Sequence, residues 1–382
     1  LLFWSVAEPV MHFASPPQDA VGDAARARQA LNITFFHWGL HPWAIYTLVG
    51  LALAYFSFRR KHPLTIRSAF YPLIGARIYG PIGNVIDTTA VVSTLFGVAT
   101  SLGLGVLQIN AGLNHVFDVP EGVVTQVGLI AFITLIATIS VVSGIHVGIR
   151  RLSELNVGVG VLLCLFLLVV GPTVFLAELL VQSIGYYLQH LPETTMWTAT
   201  FLTESEWQAG WTLFYWGWWI AWSPFVGMFI ARVSRGRTIR EFVLGVMIVP
   251  SLVTFAWLSI FGGSALYEQL EDGFDMVGAV NESVPVAMFV LFEQFPFGAV
   301  ASVAATLVIM SFFVTSSDSG SLVIDILTSG GHPDPPIPQR VFWAVTEGVV
   351  AAVLLYSGYA AGNPEGGLTA LQTAAITTGL PF

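Results

Sequence analysis

TLFYWGWWIAWSPF, residues 212–225, places Tyr215, Trp216, Trp218, Trp219 and Trp222 within eight positions of one another. At 3.6 residues per turn, Tyr215, Trp218, Trp219 and Trp222 share one face of a helix. No Asp, Glu, Lys or Arg interrupts residues 207–231. Such a segment is at home in a bilayer. Tryptophan in membrane proteins usually marks the interface, and Trp38 and Trp211 fit that belt as well as any deeper role. Trp218 to Trp222 do not, because they stand about 11–17 Å along the helix from Trp211. An indole N–H at that depth needs protein or a cavity beside it. The stripe therefore reads as a lined cavity or as bulky core packing.

The rest of the chain agrees with a membrane reading. Of 382 residues, 55% are hydrophobic and 10% charged, against about 25% charged in soluble domains. Apolar runs near 1–14, 37–58, 83–107, 123–146, 156–181, 211–231, 239–262, 299–322, 340–360 and from 367 onward predict an all-α polytopic fold forming a single domain over 1–382. TMWTATFLTESEWQAG, 195–210, reads as an extracytoplasmic surface helix. The extracytoplasmic loop 263–298 holds SVPVAMFVLFEQF, too short an apolar stretch to span. The chain opens and closes inside apolar stretches, so it is expected to be a fragment truncated at both ends.

Charge alternation tests this count. Twelve of the 14 Lys and Arg fall on alternate loops: Arg59, Arg60, Lys61, Arg67, Arg77, Arg150, Arg151, Arg232, Arg235, Arg237, Arg240 and Arg340. The intervening loops carry Asp118, Glu121, Glu193, Glu204, Glu206, Glu268, Glu271, Asp272, Asp275 and Glu282. Basic loops face the cytoplasm, which orients a multi-pass chain, and a bacterial inner membrane is its expected location. The Gly-rich run TSLGLGVLQINAGL, Pro224 and SFFVTSSDSGS suggest broken or kinked helices around a midplane site, the pattern of a transporter.

A second aromatic stretch, HWGLHPWAIY at 37–46, supplies Trp38, Trp43 and Tyr46. A quaternary ammonium has no N–H to donate. Aromatic faces hold it by cation–π attraction, about 2 kcal/mol when desolvated. Segments 37–58 and 211–231 hold no acid, which fits a neutral cage. The histidines show no metal-ligand spacing with acids on one helix, and Ser316, Ser317 and Ser319 have no nearby base, so an enzyme is not expected. Asp87, Glu178 and Asp325 lie near span ends and read as solvated or capping. Glu347 lies deeper and has no evident partner. Asp318 is read as capping a helix break or pairing with an Arg.

HWGLHPWAIY, GVATSLGLGVLQINAGLN, WGWWIAWSPFVGMFIARVSRGRTIREF and FFVTSSDSGS resemble the betaine/carnitine/choline transporter family, in register over residues 1 to about 325. The resemblance implies a core of two inverted five-helix repeats, with this chain running from within the third helix to within the twelfth. It implies uptake of glycine betaine, choline or carnitine, and possible homotrimers. Proton-coupled or exchange transport, a sulfonium substrate, or a non-transporting onium sensor stay open beside it.

The resemblance also implies roles for particular residues. The substrate cage would be Trp38, Trp43, Tyr46, Trp218, Trp219 and Trp222. Trp216 would line the cytoplasmic-facing pathway or a transient site. Sodium would be held by the Phe312 carbonyl and the side chains of Thr315 and Ser316. A second sodium position falls on Thr94, Val98 and Phe225. Val98 lacks the hydroxyl that position calls for, so one-sodium symport is expected, with no other cofactor.

Overall fold

The computed structural model describes residues 1–18, 20–143, 146–200, 205–332, 334–362 and 366–382, and every regular element among the described residues is a helix. Helix α1 is Trp4–Ala14, α2 Asp23–Trp38, α3 Leu40–Ala54, α4 the single turn Tyr71–Ile74 and α5 Pro81–Phe117. Next come α6 (Val123–Ser143), α7 (His146–Val170), α8 (Thr173–Met196) and the short α9 (Ser205–Gln208). The remainder are α10 (Phe214–Val233), α11 (Ile239–Tyr267), α12 (Met276–Glu282), α13 (Ala287–Glu293), α14 (Gly298–Thr328), α15 (Ile337–Ala360) and α16 (Gly366–Gly379). Among the described residues, seven helical segments are long and apolar enough to cross a membrane. Trp-rich α10 is not among them, although it packs between α3, α5 and α16.

Helix α5 forms the centre. Its most apolar window is 83% buried, against 17% for α6. It touches α6, α10, α14, α15 and α16. Pro81 stands at its first position, where a missing N–H costs nothing. At its other end Asp118 takes the left-handed conformation and donates its N–H to Asn114 O at 2.9 Å. Helix α11 begins on a capping box: Thr238 Oγ1 accepts from Glu241 N at 3.2 Å, and Glu241 Oε2 accepts from Thr238 N at 2.8 Å.

Three expectations need correction. The span read as 156–181 is two helices. Helix α7 ends at Val170, where Gly171 donates to Leu167 O at 2.9 Å. Pro172, lacking an N–H and crowding the residue before it, stops the helix there. Second, no continuous helix covers the described part of 195–210: α8 (Thr173–Met196), which buries Leu176, Leu179, Ser183, Tyr187 and Thr194 against α2 and α11, ends at Met196, residues 197–200 are not helical, and α9 is the single turn Ser205–Gln208. Residues 201–204 of that reading lie outside the described residues. Third, no break interrupts α10 at Pro224 or α14 through 311–321. The break falls instead at Gly39, between α2 and α3.

The short apolar stretch at 283–295 forms a 3-10 turn and α13. It buries Met288, Phe289, Leu291 and Phe292 inside the protein. Basic residues sit between α3 and α5, near the start of α7 (Arg150, Arg151), around the α10–α11 connection and at the start of α15 (Arg340), and the acidic loops alternate with them.

Candidate solute cage

The cage begins with the Gly39 break. Pro42 cannot donate to Trp38 O, and its ring would collide with that carbonyl in a continuous helix. Gly39 ends α2 by donating to Phe35 O at 2.8 Å. A Cβ at residue 39 would stand 2.5 Å from Phe35 O and from the Phe255 ring, so only glycine fits. Trp38 is thus held at the last residue of α2, facing α10.

Helix α10 meets it with the expected stripe. Trp218 and Trp219 stack at 4.8 Å and 10°, and Trp38 stands edge-on to Trp219 at 4.9 Å and 71°. Tyr215 lies 5.8 Å from Trp219 and 5.5 Å from Trp38. Tyr46 of α3 closes the group 6.3 Å from Trp219. Trp38, Tyr46, Trp218 and Trp219 are each under 10% exposed. The half-buried Trp43 touches this group through Tyr46, at 5.5 Å.

Trp222, expected in the cage, and Trp216, expected on the cytoplasmic-facing pathway or at a transient site, lie outside the ring cluster. Trp222 is one turn further along, 5.1 Å from Phe225. Trp216 packs on Phe36 and stacks on His41 at 5.6 Å. It is the third residue of α10, at the end away from the Arg232–Arg240 connection, so the expected cytoplasmic-facing position does not fit. An apolar groove of about 420 Å³ between α6 and α15, lined by Ile130, Thr134 and Val349, is remote from this cluster and holds little polar surface.

The indole N–H groups of Trp38, Trp218, Trp219 and Trp222 are anchored in protein. Trp219 Nε1 donates to His37 O at 2.8 Å, Trp218 Nε1 to Ser101 Oγ at 3.0 Å and Trp222 Nε1 to Gly97 O at 2.7 Å. Trp38 Nε1 donates to Glu8 Oε2 at 2.6 Å. Anchoring the edges satisfies the buried polar groups and leaves the ring faces as the chemically distinctive surface.

Glu8 changes the picture of a neutral cage. The acid comes from α1 and is fully buried. Oε2 also accepts from Tyr215 Oη at 2.5 Å. Oε1 accepts from His37 Nδ1 at 2.7 Å and from His12 Nε2 at 3.3 Å. Both segments 37–58 and 211–231 lack acids, as read, yet both lean on this carboxylate. The reading of the histidines is corrected too. Glu8 and His12 are four residues apart on α1, and with His37 they bring ligand atoms within 4.8 Å of one another.

The ion-ligand candidates are placed as follows. Thr315 is buried and its Oγ1 donates to Phe312 O at 2.9 Å, so this carbonyl is engaged rather than freed by a helix break. Ser316 follows, half-buried. Thr94 is fully buried, and its Oγ1 finds no hydrogen-bond partner among the described residues. Val98 stands one turn on, buried, and Phe225 rests on Trp222. Glu347 is fully buried and accepts from Ser317 Oγ at 3.2 Å and Ser321 Oγ at 3.1 Å. Asp318 lies inside unbroken α14, so it caps no helix break. Asp87 is bound by Arg67, and Glu178 is exposed. Asp325, read as solvated or capping, is instead buried, with no partner for its carboxylate among the described residues.

Comparison with known proteins decides the family. The family model for betaine/carnitine/choline family transporters matches residues 1–382. The chain belongs to the betaine/carnitine/choline transporter family. It is 52% identical to an uncharacterized transporter of Mycobacterium tuberculosis over all of this chain and 64% of that protein. It is 46% identical to the glycine betaine transporter of Acinetobacter baylyi, covering all of this chain and 56% of that protein. It is 47% identical to glycine betaine transporter 1 of Vibrio parahaemolyticus, covering all of this chain and 72% of that protein. The chain thus spans less than two thirds of the length of the mycobacterial and Acinetobacter relatives. Members of the betaine/carnitine/choline transporter family are transporters rather than enzymes, and the apolar helices here are those of a multi-pass inner-membrane protein.

Within this family member, sequence reasoning missed Glu8 and His12 as parts of the aromatic site, and read Tyr215 on the stripe without placing it in the cage. The signal was present: EPVMH, residues 8–12, sets an acid and a histidine one turn apart inside an apolar stretch. An ionisable residue there is a functional candidate by default.

Proposed function

We propose that the protein takes up a quaternary-ammonium solute, glycine betaine first among them, by alternating access, with Trp38, Tyr46, Trp218 and Trp219 as the cage. The observation that carries this is the buried ring cluster whose N–H edges are bonded to His37, Ser101 and Glu8. What remains for a ligand is π surface, which attracts a methylated cation without demanding a hydrogen bond from it. The rings lie against one another, so a solute enters as they part, and the Gly39 break is where Trp38 can move relative to α3. Relatives named for glycine betaine, and one from Vibrio parahaemolyticus named for glycine betaine, proline and choline, support the same solute class.

Sodium coupling is part of the proposal. Thr315, Ser316 and the Phe312 carbonyl would offer hard oxygens on one turn of α14, the kind of ligand sodium takes, once the Thr315 hydroxyl turns from that carbonyl. Val98 denies the second position a hydroxyl, so one ion per cycle is favoured. A sulfonium solute would fit the same cage, and a proton or counter-solute would change only the coupling.

One experiment separates these readings. The intact protein is reconstituted in liposomes, and uptake of labelled glycine betaine, choline and carnitine is measured with and without a sodium gradient. Sodium-driven uptake of at least one is expected. No uptake or exchange of any methylated onium compound would sink the proposal. Uptake indifferent to sodium but driven by a proton or counter-solute gradient would move the coupling to the alternatives.

A further inference from the structure

Glu8, His12 and His37 form a donor cluster that the cage alone does not explain. Trp38 and Tyr215 already bind one carboxylate oxygen of Glu8. The other oxygen faces two imidazole nitrogens, at 2.7 Å for His37 Nδ1 and 3.3 Å for His12 Nε2. All three residues are fully buried. One turn of α1 sets Glu8 and His12 on the same face, and the last turn of α2 brings His37 across to them.

We propose that Glu8, His12 and His37 bind a divalent transition-metal ion of the zinc class, and that the bound ion holds the cage shut. Two imidazoles and one carboxylate suit zinc better than calcium or magnesium, which take oxygen ligands. In a tetrahedral site with bonds of about 2.0–2.1 Å, ligand atoms stand roughly 3.3 Å apart. The His12–Glu8 separation of 3.3 Å matches that value, and the His37–Glu8 pair, hydrogen-bonded at 2.7 Å, would open by about 0.6 Å to take an ion. Outer contacts are in place for two of the three ligands. His37 Nε2 lies 3.1 Å from Thr212 Oγ1, and the second oxygen of Glu8 is fixed by Trp38 and Tyr215. Such partners orient ligands toward a metal. His12 Nδ1 is buried without a hydrogen-bond partner among the described residues, while its ring packs 4.4 Å from Trp211.

The consequence follows from which elements the ligands tie together. Glu8 and His12 belong to α1, His37 adjoins Trp38 on α2, and Glu8 also holds Tyr215 of α10. An ion here would fasten all three at the ring cluster. If the rings must part for a solute to enter, a bound ion opposes that step. This second half rests on the uptake reading above; the binding half does not.

The test therefore has two arms. The purified intact protein is titrated with zinc chloride alone by calorimetry, and with cobalt chloride as a spectroscopic probe of tetrahedral nitrogen and oxygen ligands. About one equivalent is expected in the wild type, with at least tenfold weaker binding in His12→Gln and in His37→Gln. The glutamine in His12→Gln keeps an N–H to offer Glu8, so the variant is expected to fold. No stoichiometric binding, or unchanged affinity in both variants, would overturn the site. In the second arm, zinc added to liposomes is expected to inhibit betaine uptake, and His12→Gln to lose that inhibition, each protein being compared with its own zinc-free rate. Zinc binding without inhibition would refute the holding role. A wild type that moves no onium compound would refute the uptake reading, while the titration still decides the metal site.

Discussion

Replacing Glu8 by glutamine tests whether a carboxylate outside both aromatic stretches sets their geometry. The amide keeps the shape but replaces one oxygen with NH2, so it can no longer accept on both sides. Trp38 and Tyr215 converge on one oxygen at 2.6 and 2.5 Å, and the histidines on the other. Tyr215 can turn its hydroxyl to accept from the new NH2. Trp38 cannot, because indole nitrogen only donates. At least one bond to a charged acceptor is lost, about 1.5–3 kcal/mol. Trp38 then leaves its place against Trp219, and a bound cation loses about 2 kcal/mol from one ring face. At 1.4 kcal/mol per tenfold, betaine should bind roughly 30-fold more weakly. The assay is a betaine titration of purified protein followed by intrinsic tryptophan fluorescence, with thermal unfolding in parallel. A Glu8→Gln protein with Kd within about twofold of wild type and unchanged unfolding would show that the carboxylate does not position Trp38.

Other consequences are tested more simply. Trp219→Leu should weaken betaine binding by about 30-fold or more, since one ring face is worth about 2 kcal/mol. Trp222→Leu, one turn outside the ring cluster, should cost markedly less, and equal losses in the same titration would return Trp222 to the cage. In Gly97→Ala the new Cβ would lie 2.9 Å from Trp222 Cδ1 and 3.2 Å from Ala221 C. This overpacking between α5 and α10 should cost about 1–3 kcal/mol, read as a lower unfolding temperature; an unchanged transition would mean the helices separate freely. Val98→Thr places a hydroxyl one turn from the unpartnered Thr94 Oγ1. It should turn a hyperbolic sodium dependence of uptake sigmoidal, and an unaltered curve would argue against a second sodium position there.

The fold was legible where physics acts locally, and the site was legible only in part. Long apolar runs must be helical in a bilayer, because no water is present to satisfy the backbone. The positions of α5, α6, α11, α14 and α15 followed from that. Breaks were harder to read. Pro172 ends α7, whereas Pro224 is absorbed within α10, and both look alike as single prolines in apolar sequence. What separates them is context: Pro172 follows a glycine, while the buried helix around Pro224 is packed by α3 and α5.

The stripe at 215–219 was legible because its spacing is a property of one helix. Its partner in charge was not, because Glu8 and Tyr215 are 207 residues apart in the chain. The absence of acids in 37–58 and 211–231 was correctly read, but it led to a neutral cage. A carboxylate contributed by a third helix satisfies both stretches without belonging to either. The lesson is physical. Composition within a segment constrains what that segment can bury, and says little about what its neighbours bring. Glu8 is tolerable at depth because four donors surround it, and those same bonds tie His37, Trp38 and Tyr215 into one body. The electrostatics of this site therefore belong to α1, and it is at residue 8, rather than in the tryptophan stripe, that a change of one atom should disturb the most contacts at once.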